Sequence, residues 1–195
     1  MAGSAQSRQV LFDSISKKLG PECVTSTSLR LAAVAIIIRD RGSPSVLMIK
    51  RAERKGDPWS GQVAFPGGKM QEGGETARGT AVRETYEEVG IDLGKSAEFL
   101  GFAEATVTHN GAMEVVPAVF LLRQDVRVNP NQEVASHRWI ELEEMLSSSS
   151  KSVYRLNFEG RKVNMPAYSV GDYTIWGLTY RIVTSLVGSD PTPGP

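Results

Sequence analysis

The chain has one cysteine, Cys23, in 195 residues. One thiol forms no intrachain disulfide and builds no thiolate zinc site, which excludes a disulfide-stapled scaffold and a zinc ribbon; a reducing compartment fits. Net charge is absent as well: 22 Lys plus Arg balance 22 Asp plus Glu. A protein that holds nucleic acid by overall positive charge is excluded, as is a polyacidic solvating chain. No long apolar run exists. The longest, Leu31 to Ile38, is too short to cross a bilayer as a helix. The first residues, MAGSAQSRQVLFDSISKKLG, hold no apolar leader core. A cytoplasmic protein is therefore expected, with organelle import left open and no membrane or nucleic-acid partner. A homodimer is compatible with the composition.

What is present describes one domain. Val10, Leu11, Ile15 and Leu19 have helical spacing, so a short amphipathic helix is predicted over 8–19, stopped by Gly20-Pro21. Residues 29–40 read as a buried strand and 46–51 as its hairpin return. Residues 52–75 read as one long loop rich in Gly, Pro and charge, and 76–89 as a helix ended by Gly90. Two strands are predicted over 98–123 around His109-Asn110-Gly111, then a loop and a short strand through Trp139. A short helix over 141–146, a mobile Ser147–Ser150 loop, a hairpin turning near Gly160 and a packing helix over 174–188 complete the pattern. Such mixing, without regular βαβ alternation, predicts an α/β fold, a mixed β-sheet sandwiched between helices. The predicted boundaries are an N-terminal helix and linker over 1–29, the domain over 30–188 and a disordered tail over 189–195.

The chemistry concentrates in RETYEEVGI, Arg83 to Ile91. At about 100° per residue, Glu87 lies about −60° and Glu88 about +40° from Glu84, so three carboxylates share one face. Val82, Tyr86 and Val89, with Gly79, fall opposite and are expected to meet the sheet. Glu84 and Glu88 repel at i,i+4, and Arg83 cannot neutralise three acids. A hard divalent cation would, through carboxylate and phosphate oxygens. A solvated charged face is the plainer alternative for this string alone. Upstream, Phe65-Pro66-Gly67-Gly68 adds a turn whose backbone can approach a ligand closely. Helix and turn together describe a phosphate-plus-metal site.

GGKMQEGGETARGTAVRETYEEVGI resembles the signature of the Nudix hydrolases, which cleave nucleoside diphosphates linked to another group. Glu75, Arg83, Glu84, Glu87, Glu88, Gly90 and Ile91 match. Thr85 stands where an aliphatic residue is usual, and six residues rather than five separate Gly68 from Glu75. That expansion resembles the coenzyme A pyrophosphatase branch. SGQVAFPGG (60–68) and IWGLTYRIV (175–183) are similar to segments flanking the signature in that branch. The branch also expects an arginine where Asp57 stands; Arg54 is the nearest substitute.

The resemblance implies a Nudix fold and Mg²⁺- or Mn²⁺-assisted attack of water on a diphosphate phosphorus. It makes Glu87 and Glu88 metal ligands, Glu84 a ligand or the general base, and the Gly68 carbonyl a further ligand. Arg83 would orient the glutamates, with Glu75 as its partner, and Glu133 could reach the cluster from a later loop. Glu72, Glu104 and Glu114 are expected to face solvent. Arg51, Arg54 and Lys69 are candidates to hold phosphates, and Trp59 to stack on a base or to pack its loop. Phe158, Tyr168 and Trp176 either line a pocket or, as aromatics near a C-terminus more often do, pack in the core, and His109 and His137 are expected in structural positions. The implied substrate is coenzyme A or an acyl derivative, giving 3′,5′-ADP and a phosphopantetheine. Open alternatives are the same chemistry on ADP-ribose, a dinucleotide or a damaged nucleoside triphosphate, and a silent nucleotide-sensing domain. A silent domain would be expected to lose a carboxylate; all three are kept.

Overall fold

The computed structural model describes residues 12–23, 25, 29–57, 59–109, 111–158 and 160–188. β-Branched and small apolar residues build its spine. β1 (Arg30–Asp40) turns back into β2 (Pro44–Arg51), with Ile38 facing Val46, and runs parallel to β7 (Met113–Leu122), with Ala33 facing Val116. Two short strands lie inside the stretch expected to be plain loop. β3 (Val63–Ala64) pairs with β2, and β4 (Gly67–Lys69) pairs with β1. β5 (Ala97–Phe102), β6 (Thr106–Val107) and β8 (Val134–Glu141) complete an eight-stranded mixed sheet.

Period-two alternation divides the sheet into two faces. Ala33, Ala35 and Ile37 of β1 join Val116, Ala118 and Phe120 of β7 in one core. α1 (Ala77–Val89) and α2 (Leu93–Ser96) contribute to that core through Ala77, Ala81, Val89 and Leu93. Ala32, Ile36 and Ile38 face the other way and join Val115 and Val119 in a second core. There α3 (Leu142–Leu146), α4 (Gly177–Val187) and a three-stranded sheet close the layer. That sheet is β9 (Lys151–Phe158), β10 (Arg161–Val170) and β11 (Tyr173–Trp176), in the order β11-β10-β9. The protein is thus a mixed sheet between helical layers, an α/β fold as expected, with an added small sheet on one side.

Several local expectations change. The C-terminal helix begins at Gly177, because Tyr173–Trp176 is strand, paired with β10 from Ala167 to Val170. Ile175 still reaches the core, where a strand places it as well as a helix would. Ser147–Ser150 is ordered: the Ser150 hydroxyl donates to the Glu144 carbonyl at 2.6 Å, and Ser150 is buried. Glu114 is buried in β7, not solvent-facing, while Glu104 is exposed and accepts from Ser185 Oγ at 2.9 Å. Tyr168 lies in the core as expected. Of the predicted N-terminal helix, 12–16 is helical and 8–11 lies outside the described residues, as do Asn110, the Phe158 side chain and the 189–195 tail.

Candidate active site

α1 is capped at both ends. The Thr76 hydroxyl accepts from Gly79 N, and Gly90 ends the helix at φ 70°, its N–H donating to the Tyr86 carbonyl. Its orientation is rotated from the one the apolar pattern predicted: Val89 is buried and Val82 packs against the core as expected, but Tyr86 is not buried. The buried residues are Ala77, Thr80, Ala81, Thr85, Glu88 and Val89, whereas Tyr86 is 61% exposed. Small side chains explain this. Ala77 and Ala81 let the backbone approach Ala33 and Ala35, which a tyrosine in their place would prevent. The helix therefore turns Glu84 and Glu88 toward Gly67 and Gly68, while Glu87 stays exposed.

That rotation buries Glu88, which keeps only 3% exposure. One carboxylate oxygen accepts from Gly67 N at 2.9 Å, and the other lies 3.8 Å from Arg51 Nη1. Burial pushes its carboxyl up to about 7, aided by the charges of Glu84 and Glu133 and opposed by the Gly67 amide and Arg51. Glu84 packs on the backbone of Gly68, where an added Cβ would lie 2.4 Å from Glu84 Oε1. Gly67 is equally committed, since a Cβ there would lie 2.3 Å from the Ala33 carbonyl oxygen. The glycine pair is thus a strand pressed between β1 and the glutamates, where only backbone fits.

Arg83 is the hub of the exposed side. Its guanidinium donates to Glu75 at 2.8 Å, to Glu84 at 2.7 Å, to Glu87 at 3.2 Å and to the Lys69 carbonyl at 3.2 Å. The Arg83 hydrogen bonds hold the Glu75 carboxyl down at about 2, with a further bond from Gln71 N at 2.7 Å. Arg83 and Glu75 thus brace the loop before α1 against the helix itself.

A third element completes the enclosure. Asn129 N donates to the Val89 carbonyl at 2.8 Å and Asn131 N to the Glu88 carbonyl at 2.9 Å. Asn131 Nδ2 reaches the Glu87 carbonyl at 2.9 Å, while its Oδ1 accepts from Glu133 N at 2.7 Å. The end of α1 therefore fixes where Glu133 stands, and Glu133 pairs with Arg54 at 3.0 Å. Asn131 carries no charge and was not singled out from sequence; its only signal there is an Asn-x-Glu step typical of a side-chain-closed turn. Asp57 accepts from Arg51 at 3.0 Å and from Trp59 N at 2.9 Å. Arg51 Nε is buried with no acceptor among the described residues. Lys69 projects to solvent, and Trp59 is 37% exposed.

The structure thus brings Glu84, Glu87, Glu88, Gly68, Arg83, Glu133, Arg51 and Arg54 around one end of α1. Among the described residues, no three His, Cys, Asp or Glu side chains are already gathered about one metal position. Arg83 now holds Glu84 and Glu87. The donor set nevertheless fits a hard cation. It offers only oxygens, and it contains a buried carboxylate whose charge lacks full compensation. Glu84, Glu87 and Glu88 with the Gly68 carbonyl are the residues that would hold it. Arg51 stands beside this group, with Nη1 3.8 Å from Glu88 and Nη2 3.0 Å from Asp57.

Comparisons with known proteins agree with this geometry. The NUDIX domain model matches residues 29–157. A protein of Photorhabdus laumondii named "Uncharacterized Nudix hydrolase NudL" is 33% identical over 162 residues, covering 83% of this chain and 85% of that protein. One of Yersinia pestis with the same name is 36% identical over 166 residues, covering 83% and 80%. The crystal structure of a MutT/nudix family protein from Enterococcus faecalis superposes with a TM-score of 0.55 at 18% identity, covering 84% of this chain and 63% of that one, and shows the shared fold.

Proposed function

The chain belongs to the Nudix hydrolase family and is a pyrophosphohydrolase, and we propose that it cleaves the diphosphate of coenzyme A or an acyl-coenzyme A, releasing 3′,5′-ADP and a phosphopantetheine. The observation that carries this reading is the pairing of the buried Glu88 and its neighbours Glu84 and Glu87 with a glycine strand that exposes only backbone. The coenzyme A assignment is supported by the two flanking segments. Val63 lies in the first and Thr179 in the second, and the buried Thr179 hydroxyl donates to the Val63 carbonyl at 3.1 Å. Residues far apart in sequence that resemble one branch thus form one structural unit.

A bound Mg²⁺ or Mn²⁺ would polarise the phosphoryl oxygens and acidify the attacking water. Glu84, Glu87, Glu88 and the Gly68 carbonyl would ligate it. Arg83 positions Glu84 and Glu87, and Glu75 positions Arg83. Glu84 or Glu133 accepts the proton of the water; both are carboxylates with part of their oxygens exposed. Arg51, Arg54 and Lys69 supply positive charge to the diphosphate.

A second reading has its own observation. Asp57 engages Arg51, which reduces the positive charge Arg51 offers a phosphate-rich substrate. Among the alternatives this favours the substrates with fewer phosphates, ADP-ribose or a dinucleotide. A panel of coenzyme A, acetyl-coenzyme A, ADP-ribose, NADH and 8-oxo-dGTP, with Mg²⁺ and then Mn²⁺ and products identified by mass spectrometry, separates the two. Coenzyme A cleaved to 3′,5′-ADP at the highest kcat/KM is the expected result. Preference for any other member would overturn the coenzyme A assignment.

A further inference from the structure

β2 ends in two consecutive basic residues, and the alternation of a strand sends them to opposite faces. Arg51 joins Glu88 and Asp57 on the α1 side. Lys50 instead lines a groove of about 190 Å³ on the other side, between the 60–63 segment and the small sheet. Tyr154 of β9 and Trp176 of β11 line the same groove, as do Gln62, Asp172 and Thr174. The two rings stack on each other, with centroids 4.0 Å apart and planes 12° from parallel. Both are only partly buried. Lys50 and Asp172 have no ion-pair partner among the described residues.

This combination differs from ordinary surface. A pre-stacked Tyr–Trp pair is a rigid aromatic platform whose ordering is complete before a ligand arrives. An unpaired ammonium offers charge to a phosphate, and an unpaired carboxylate accepts from an exocyclic amino group. The volume is below the roughly 300–1,000 Å³ that encloses a drug-sized ligand, so the groove takes one end of a larger molecule. A planar, amino-bearing ring with a phosphate nearby is the chemistry of an adenine, guanine or cytosine nucleotide, and of these the purines offer the larger face for stacking.

We propose that this groove binds the base of a purine nucleotide on Tyr154 and Trp176, with Lys50 taking a ribose phosphate outside the scissile diphosphate. The inference deepens the proposed function, on which its identification of the nucleotide as part of the substrate rests. The 60–63 segment links the two sites covalently: it follows the loop bearing Arg54, Asp57 and Trp59, and it forms one wall of the groove.

The test is binding of adenosine 3′,5′-bisphosphate to the metal-free protein, followed by tryptophan fluorescence and calorimetry. Wild type should bind, and Tyr154→Leu should weaken binding by about tenfold through loss of stacking. Lys50→Gln, which leaves the platform untouched, should abolish any preference for the bisphosphate over adenosine 5′-monophosphate. Affinity unchanged in both Tyr154→Leu and Lys50→Gln overturns the groove. In the kinetic arm, Lys50→Gln should raise KM for coenzyme A several-fold but leave KM for 3′-dephospho-coenzyme A unchanged. An equal rise for both substrates would overturn the phosphate contact. Failure of the proposed function is distinguishable, because the binding arm needs neither metal nor turnover.

Discussion

Replacing Glu88 by Gln in the metal-free protein should stabilise it above neutral pH and change little below pH 4.5. The Glu88 carboxyl is raised from 4.5 to about 7, first by burial and then by Glu84 and Glu133. A raised carboxyl means that the folded state holds a proton the unfolded chain has released. Folding stability therefore falls as pH rises from 4.5 to about 7, and the full penalty remains above that range. Converted at 1.36 kcal/mol per pH unit, the penalty is about 3 kcal/mol. Gln keeps the acceptor for Gly67 N without the charge. Urea unfolding in EDTA at pH 4.5, 6 and 8 should show a Glu88→Gln advantage growing to about 2–3 kcal/mol at pH 8. Thermal midpoints should move in parallel, by roughly 2–4 °C per kcal/mol for a chain of this size. Adding Mn²⁺ at pH 8 should reverse the order, since a cation held by Glu88 stabilises the wild-type fold by mass action. A stability difference that does not vary between pH 4.5 and 8 would refute the account of Glu88 as a charge buried for a cation.

The other predictions concern its neighbours. Glu87 is half exposed, so Glu87→Gln should leave the circular dichroism and thermal midpoint near wild type while lowering kcat roughly a hundredfold or more; turnover within threefold of wild type would refute a ligand role. Gly67→Ala should destabilise by about 3 kcal/mol or more, because the added methyl meets the Ala33 backbone. Gly68→Ala meets instead the movable end of Glu84, so chemical denaturation should show a smaller loss beside a large fall in kcat. Glu75, held down at about 2 by Arg83, contributes stability that is complete above pH 4.5 and lost as pH falls toward 2. Glu75→Gln should therefore cost about 1–2 kcal/mol at pH 7 after solvent screening, and almost nothing at pH 2, by urea titration at the two pH values.

The carboxylate cluster was legible because helical periodicity is a local property. Spacing alone placed Glu84, Glu87 and Glu88 on one face, and Thr76 and Gly90 marked the ends of α1. Which face meets the sheet was not local. The apolar pattern nominated Tyr86, but close packing of Ala77 and Ala81 against β1 outweighed it and left Tyr86 exposed. The β-branched run of β1 announced a buried strand; its parallel pairing with β7, across an intervening helix, was invisible until both were in place. The helical reading of Thr174-Ile175-Trp176 failed for a related reason: pairing with β10 decides their backbone, and apolar spacing over three residues serves strand and helix equally.

Sequence by itself determined the family, the acidic and glycine components of the candidate site, and the order of most elements. These follow from residue identity and short-range spacing. Tertiary structure alone decided that Glu88 is buried and raised, that Asn131 ties Glu133 to the end of α1, that Asp57 claims Arg51, and that Lys50 faces a separate aromatic groove. Each depends on segments distant in the chain meeting in space, where desolvation and competing charges set what a side chain can do.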